Sequence, residues 1–301
     1  MSVADVAVRT YRKLQPEDLG ILQAIEKQAK RYRNVPTDTI ASVAGLPHQE
    51  VLFRLPALAR NHLITRYTGA YVGYHLTASG YDTLAIDHLV KADILEAFGK
   101  PLGVGKEADV YDALMPDKTK LAVKFHRLGR TSFRQTKRKR GYVTDYQYVA
   151  DWHRQSAIAA EREYKALKKL YPCGVAVPAP FAQNRHVLVM SRIEGAELYR
   201  HKEIPEPNAT VEDIILNIRT AYQKADIIHA DLSPYNIILE PDSHILIIDW
   251  PQYVTHEHPN ADQLLRRDIR NILKFFKSKY AIEASLEQAL SVVTQSNTSL
   301  S

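Results

Sequence analysis

The stretch His229-Ala230-Asp231-Leu232-Ser233-Pro234-Tyr235-Asn236, followed by two short apolar runs and Asp249, constrains this chain more than any other segment. Ile237, Ile238 and Leu239 form the first run, and Ile245, Leu246, Ile247 and Ile248 the second, with Glu240-Pro241-Asp242-Ser243 between them. Apolar runs of this length separated by turn residues predict a β-hairpin. Asn236 then opens its first strand and Asp249 closes its second. The two ends of one hairpin are neighbours in space, so an amide oxygen and a carboxylate thirteen positions apart can share one hard cation. Asp231, in the loop just before, is placed to face an incoming reactant.

One carboxylate beside a cation held by oxygen ligands suits phosphoryl transfer. That reaction needs little covalent help and much charge stabilisation: magnesium bridges phosphate oxygens while a carboxylate waits where the nucleophile arrives. The His-x-Asp-x-x-x-x-Asn spacing by itself occurs in many proteins, and the upstream half of the chain decides the reading.

Upstream, Gly103-Val104-Gly105-Lys106-Glu107-Ala108 precedes the strand-like residues 110–114. Glycines let backbone approach a phosphate chain, and exposed N–H groups there cradle its oxygens. Ala108 stands where the protein-kinase loop has its third glycine, and Lys106 adds a cation. Leu121-Ala122-Val123-Lys124-Phe125 supplies a strand with one lysine. A buried ammonium needs a partner. The helical pattern over 158–170 offers Glu161 and Glu163, of which Glu163 is the expected partner. Residues 187–195 read as a strand running into a hinge, with Met190, Ser191 and Ile193 placed to meet an adenine ring.

Taken together, the motifs Gly-Val-Gly-Lys-Glu-Ala-Asp-Val-Tyr, Ala-Val-Lys, Glu-Arg-Glu-Tyr, His-Ala-Asp-Leu-Ser-Pro-Tyr-Asn and Ile-Asp-Trp-Pro-Gln resemble the Rio atypical kinases, particularly their type-two branch, over about residues 94–285. The resemblance implies an atypical serine/threonine protein kinase or ATPase using ATP and Mg²⁺, with Mn²⁺ as an alternative ion. It implies that Lys124 meets the inner phosphates, Asp231 is the catalytic aspartate, and Asn236 with Asp249 binds metal. Asp249 is followed by Trp250-Pro251, no Ala-Pro-Glu follows, and about fifty residues remain, so an activation loop and peptide-docking helices are not expected. The acceptor is therefore open, and the family suggests Asp249 itself, through a transient aspartyl phosphate.

Residues 1–90 carry a second pattern. Helical periodicity over 19–32, a short helix from Pro36 to Ala44, a Gly45-Leu46-Pro47 turn, a helix over 48–61 and strands over 63–67 and 71–76 predict a winged helix-turn-helix, which the type-two Rio branch also carries. Arg54 and Arg60 are candidate phosphate contacts there. Residues 79–99 read as a helix joining the two domains, and residues 292–301 as a frayed tail.

The formal charge of +6 has a local source. Residues 127–140 hold seven lysines and arginines and no acid, so removing those charges takes +6 to −1. Arg130, Arg134, Lys137, Arg138, Lys139 and Arg140, with aromatic residues close by, suit RNA or ribosomal-particle binding. The single Cys173 excludes an intramolecular disulfide, and no apolar run approaches the about 18 residues of a membrane span.

The expected architecture is α+β: a winged helix-turn-helix domain over 1–90, then a truncated bilobal protein-kinase-like (Rio) domain over 91–301, with an N-lobe to about 190, a hinge over 190–194 and a C-lobe from 195. Composition and the single cysteine lead to the expectation of a cytoplasmic protein, expected to be a monomer; the resemblance implies action on the pre-small ribosomal subunit, its rRNA or its proteins, and the short C-terminus is closer to archaeal forms. Two rival classes share parts of the pattern. A small-molecule phosphotransferase of the aminoglycoside-kinase type has no evident use for the winged helix and basic segment. A nucleic-acid-binding regulator with a degenerate kinase fold would not need Lys124, Asp231, Asn236 and Asp249 together.

Overall fold

The computed structural model describes residues 3–105, 107–128 and 152–295, which fall into two compact units. The first unit contains α1 (Val3–Thr10), α2 (Pro16–Gln28), β1 (Val35–Pro36), α3 (Thr37–Ala44), α4 (His48–Arg60), β2 (Ile64–Thr68), β3 (Val72–Leu76) and α5 (Ala78–Lys91). Asp18 and Gln15 form a capping box with Pro16 in the first helical turn, which sets where α2 begins. Gly45, at φ 67°, ends α3 in the left-handed conformation that turns the chain into α4. The strands order β1-β3-β2, with Val35 opposite Tyr74 and Ile64 opposite Leu76. Ile21, Leu22, Ile25, Ile40, Val51, Leu55 and Leu58 fill the core between helices and sheet. This is the winged helix-turn-helix expected from the sequence.

The long helix expected over 79–99 is shorter. It stops at Lys91: Asp93 takes φ 55°, its N–H donates to the Val90 carbonyl at 3.1 Å, and the Ile94 N–H donates to the Leu89 carbonyl at 3.0 Å. This pair of bonds is a Schellman stop made with Asp in place of Gly, so the sequence carried no glycine to mark it. Residues 97 and 98 belong instead to β4 (Ala97–Val104), which pairs with β5 (Ala108–Leu114) and it with β6 (Lys120–His126). The full strand order is β4-β5-β6-β8-β7, with β7 at Pro180–Asn184 and β8 at Val187–Ser191. The sheet and the winged helix are not separated near residue 90. Arg185 makes a bidentate bond to Glu26 of α2 at 2.7 and 2.6 Å, and the Tyr111 hydroxyl donates to Asp5 of α1 at 2.6 Å.

The helix α6 (Trp152–Leu170) contributes its first turns to the first unit and the rest, from Ile158, to the second. The second unit also holds β9 (Ala196–Glu197), α7 (Pro207–Ala225), β10 (Ile237–Leu239), β11 (Ile245–Ile247), α8 (Ala261–Tyr280) and α9 (Leu286–Thr294). The buried stripe of α8, namely Ala261, Leu264, Leu265, Ile269, Ile272, Leu273 and Phe276, follows the period of an amphipathic helix. Residues 292–294, expected to fray, are the last turn of α9, because the Ser285 side chain caps that helix and Val293 is buried beneath it. No described helix is long and apolar enough to cross a membrane.

Gly80 lies in the first turn of α5, where a Cβ would stand 2.2 Å from the Leu63 carbonyl oxygen. Thermal or urea unfolding of Gly80→Ala should therefore show a loss of about 1–3 kcal/mol, since neither backbone can give way without moving α5 from the wing.

Candidate active site

The second unit gathers Asp231, Asn236 and Asp249 through the hairpin. Ile237 pairs with Ile247 and Leu239 with Ile245, and all four side chains are buried. The Ile248 N–H continues the ladder by donating to the Asn236 carbonyl at 2.9 Å, which brings Asn236 to within one residue of Asp249. Asn236 Nδ2 donates to the Asp231 carbonyl at 2.9 Å. Its amide nitrogen is thus committed to the loop, and its oxygen is turned the other way, where a cation can use it. Two non-glycine residues adopt left-handed backbone here, Ala230 at φ 64° and Asp249 at φ 67°. Such conformations are costly and persist only where surrounding bonds enforce them.

Those bonds come largely from α8. Asp268 accepts the Ala230 N–H on Oδ2 at 2.7 Å and the Leu232 N–H on Oδ1 at 3.1 Å, gripping the backbone on both sides of Asp231. Arg267 donates to the Ala230 carbonyl, and Asn271 Nδ2 to the Leu232 carbonyl at 3.1 Å. His229 Nε2 lies 3.0 Å from the Ile248 carbonyl, and its ring rests on Trp250 at 4.4 Å. Burial pulls the His229 pKa below its usual value, against the hydrogen bond to Ile248 and the charges of Asp249 and Glu163. A neutral ring donating to a carbonyl is a brace between the loop and the hairpin.

From α6, Arg162 Nε donates to the Pro251 carbonyl at 2.9 Å, a further N–H reaches the Tyr253 carbonyl, and the guanidinium covers the Tyr253 ring at 4.6 Å. The segment after Asp249 is thereby tied to α6. Glu163 beside it is 2% exposed. Asp268, Arg267, Asn271 and Arg162 were missed in the sequence. Asp268 left one signal: a single carboxylate placed within the apolar stripe of α8.

In the first unit, Gly103 and Val104 end β4, and the Gly105 N–H donates to the Ala108 carbonyl at 2.9 Å to close a tight loop. Gly103 has open space where a side chain would stand, while Glu107 and Ala108 lead into β5. Lys106 lies outside the described residues. Lys124 sits mid-strand on β6 opposite Val110, only 8% exposed. At the expected hinge in the second unit, Met190 is buried. The Ser191 N–H donates to the Ala179 carbonyl at 2.8 Å, and the Ser191 Oγ accepts from the Ala179 N–H at 3.0 Å. The Ser191 N–H is thus engaged by the residue just before β7, which leaves the other backbone groups near Ser191 and Ile193 for an adenine ring.

Arg54 requires a second correction. Its guanidinium pairs with Glu50 at 2.6 Å, Asp18 at 3.1 Å and Glu17 at 3.3 Å, so its charge is consumed within the winged helix and is not presented to phosphates. The outward face of α4 carries Gln49, Phe53, Pro56 and Arg60, with Arg60 its single exposed cation and Phe53 78% exposed. Arg130, Arg134, Lys137, Arg138, Lys139 and Arg140 lie outside the described residues.

The sequence model of the family described as RIO domain matches residues 109–289, and that described as Rio2, N-terminal matches residues 11–92. The chain is similar to the RIO-type serine/threonine-protein kinase Rio2 of Methanocaldococcus jannaschii, at 41% identity over 264 residues, covering 86% of this chain and 95% of that one. It is 33% identical to the serine/threonine-protein kinase RIO2 of Saccharomyces cerevisiae, covering 93% of this chain and 67% of the yeast protein. Among solved structures, the Rio2 kinase–ADP/Mg²⁺–phosphoaspartate complex from Chaetomium thermophilum superimposes with a TM-score of 0.81 at 31% identity, covering 96% of this chain and 90% of that one.

Burial pushes the Asp268 carboxyl up to about 7; Asp231 adds to the rise, while Arg267 and the two N–H groups oppose it. An acid whose folded value lies above its unfolded value of about 4 contributes stability that is whole below about pH 4 and lost as pH rises through about 7. Unfolding measured across that window should show the wild type losing stability relative to Asp268→Asn as pH rises; parallel profiles would mean that the carboxyl titrates normally. The same variant keeps one acceptor oxygen for two donors, so its turnover should fall by roughly tenfold or more.

Proposed function

The chain belongs to the RIO kinase family, with a Rio2-type N-terminal domain ahead of its RIO domain, and on that premise we propose that it is an atypical serine/threonine kinase and ATPase that turns over Mg-ATP during maturation of the small ribosomal subunit. The observation that carries this reading is the convergence of Asp231, Asn236 and Asp249 through two backbone-mediated bonds, Asn236 Nδ2 to Asp231 and Ile248 N–H to Asn236. Asn236 Oδ1 and an Asp249 oxygen are the hard ligands that would hold Mg²⁺, which supplies neutralisation of the phosphate charge when bound. Lys124 neutralises the inner phosphates. The N–H groups of residues 103–108 receive phosphate oxygens.

Asp231 orients the attacking group and takes its proton when that group is a hydroxyl. In the ATPase cycle Asp249 is itself the nucleophile. Its carboxylate oxygen bonds to the γ-phosphorus as the bond to the ADP oxygen breaks; water then cleaves the acyl phosphate, releasing phosphate and restoring the carboxylate. The phosphoaspartate in the Chaetomium Rio2 structure supports this assignment, as does the enforced backbone at Asp249. The winged helix and the basic residues Arg130 to Arg140 support a ribosomal-particle partner, with nucleotide turnover gating binding or release.

Asp231→Asn and Lys124→Met should lower Mg-ATP turnover by about 10²–10⁴-fold with an unchanged circular-dichroism spectrum. Label from γ-³²P-ATP should be released by hydroxylamine and absent from Asp249→Asn; label retained on that variant would sink the aspartyl-phosphate step. Replacing Lys137, Arg138, Lys139 and Arg140 with alanine should flatten the salt dependence of small-subunit RNA binding by roughly 0.7–0.9 log unit per lost contact. An unaltered slope would remove the basic segment from the interface.

A further inference from the structure

Arg127 is one of the seven basic residues of 127–140, yet it is only 1% exposed and lies inside the first unit. Its Nη1 and Nη2 donate to the two carboxylate oxygens of Asp82 at 2.7 and 2.8 Å, and its Nε donates to Asp109 at 3.1 Å. His186 Nε2 lies 2.6 Å from Asp82. The Arg127 main-chain N–H donates to the Glu107 carbonyl at 2.7 Å. Asp82 and Asp109 are as buried as the arginine. Asp82 belongs to α5, the helix that ends the winged-helix domain, and Asp109 to β5, immediately beyond the glycine-rich loop. One guanidinium therefore connects α5, β5 and, through its own backbone, the loop itself.

Apolar side chains of similar volume fill such a space at lower desolvation cost, so stability alone is a weak reason for three charges here. What the arrangement supplies is direction. A planar fork bound by two carboxylates has one orientation, and that orientation fixes the backbone to which Glu107 is attached.

We propose that Arg127 is a positioning residue for the phosphate-binding loop, through which α5 of the winged-helix domain sets the affinity for nucleotide phosphates. Linkage makes the effect reciprocal: a macromolecule that binds the winged helix and shifts α5 alters nucleotide affinity, and bound nucleotide alters that partner's affinity by the same factor. The inference rests on the reading that residues 103–108 hold ATP phosphates.

The test uses the full chain and two ligands, Mg-ATP and adenosine, which differ in the phosphates that the loop would hold. Arg127→Lys keeps the buried charge but cannot reach Asp82 and Asp109 together, and Asp82→Asn removes the α5 anion without changing its shape. Each should weaken Mg-ATP binding by about tenfold while leaving adenosine binding within about twofold, and the double variant should be no weaker than the weaker single one. In the unaltered protein Mg-ATP, and not adenosine, should slow amide exchange over residues 78–91, a readout that needs no variant to fold. Equal loss of ATP and adenosine binding, unchanged ATP affinity in a folded variant, or no slowing in α5 would overturn the coupling. Failure of the unaltered protein to bind Mg-ATP would instead overturn the nucleotide reading beneath it.

Discussion

Asp268 grips the main chain on either side of Asp231, and the geometry of the second unit follows from that grip. A carboxylate removed from water loses several kcal/mol of hydration, and two N–H donors with a neighbouring arginine return about 1.5–3 kcal/mol for each charged hydrogen bond. The near balance is visible in the carboxyl itself, which burial raises to about 7 despite its donors. Its position on a rigid 20-residue helix makes the bonds useful. The loop is held by an element whose apolar stripe is packed, so Ala230 can be kept at a left-handed φ that an unsupported loop would relax. His229, Trp250 and the hairpin ladder then relay this order from the loop to Asp249.

The first unit applies the same principle with the opposite charge. Arg127 is the buried cation, Asp82 and Asp109 are its anions, and the backbone held in place is that of Glu107 in the glycine-rich loop. In each unit a buried ionic group orients backbone that apolar packing would leave less defined, since dispersion contacts have little directionality and charged hydrogen bonds have much. Arg162 acts similarly on the chain after Asp249, through the carbonyls of Pro251 and Tyr253. An activation loop is replaced by a short segment tied directly to a helix.

Several features were legible because their signals are local. The hairpin followed from apolar runs and turn residues, the winged helix from helical periods, Gly45 and the spacing of the strands, and the Lys124 strand from a lysine within an apolar run. The features that escaped depend on unusual local chemistry or on distance. The end of α5 was obscured because Asp93, not glycine, takes the left-handed position. Arg54 looked like a phosphate ligand because three acids that neutralise it, two of them more than thirty residues away, can be paired with it only by folding. Arg127 looked like one more member of a basic run because residues that follow it in the chain are basic, whereas its neighbours in space include Asp82 and Asp109.

The amino-acid sequence by itself determined the family and the order of the domains, and it marked Lys124, Asp231, Asn236 and Asp249 as candidates, because residue type and short spacing are enough to point to chemistry carried by one strand, one loop and one hairpin. Only the tertiary structure decided which charges and donors are available and which are spent: Asp268 and Arg127 inside, Arg54 neutralised, the Ser191 N–H taken by Ala179. Pairing of that kind depends on distances between residues far apart in the chain, and the energy of a charge depends on how much water surrounds it. Neither quantity exists until the chain has folded.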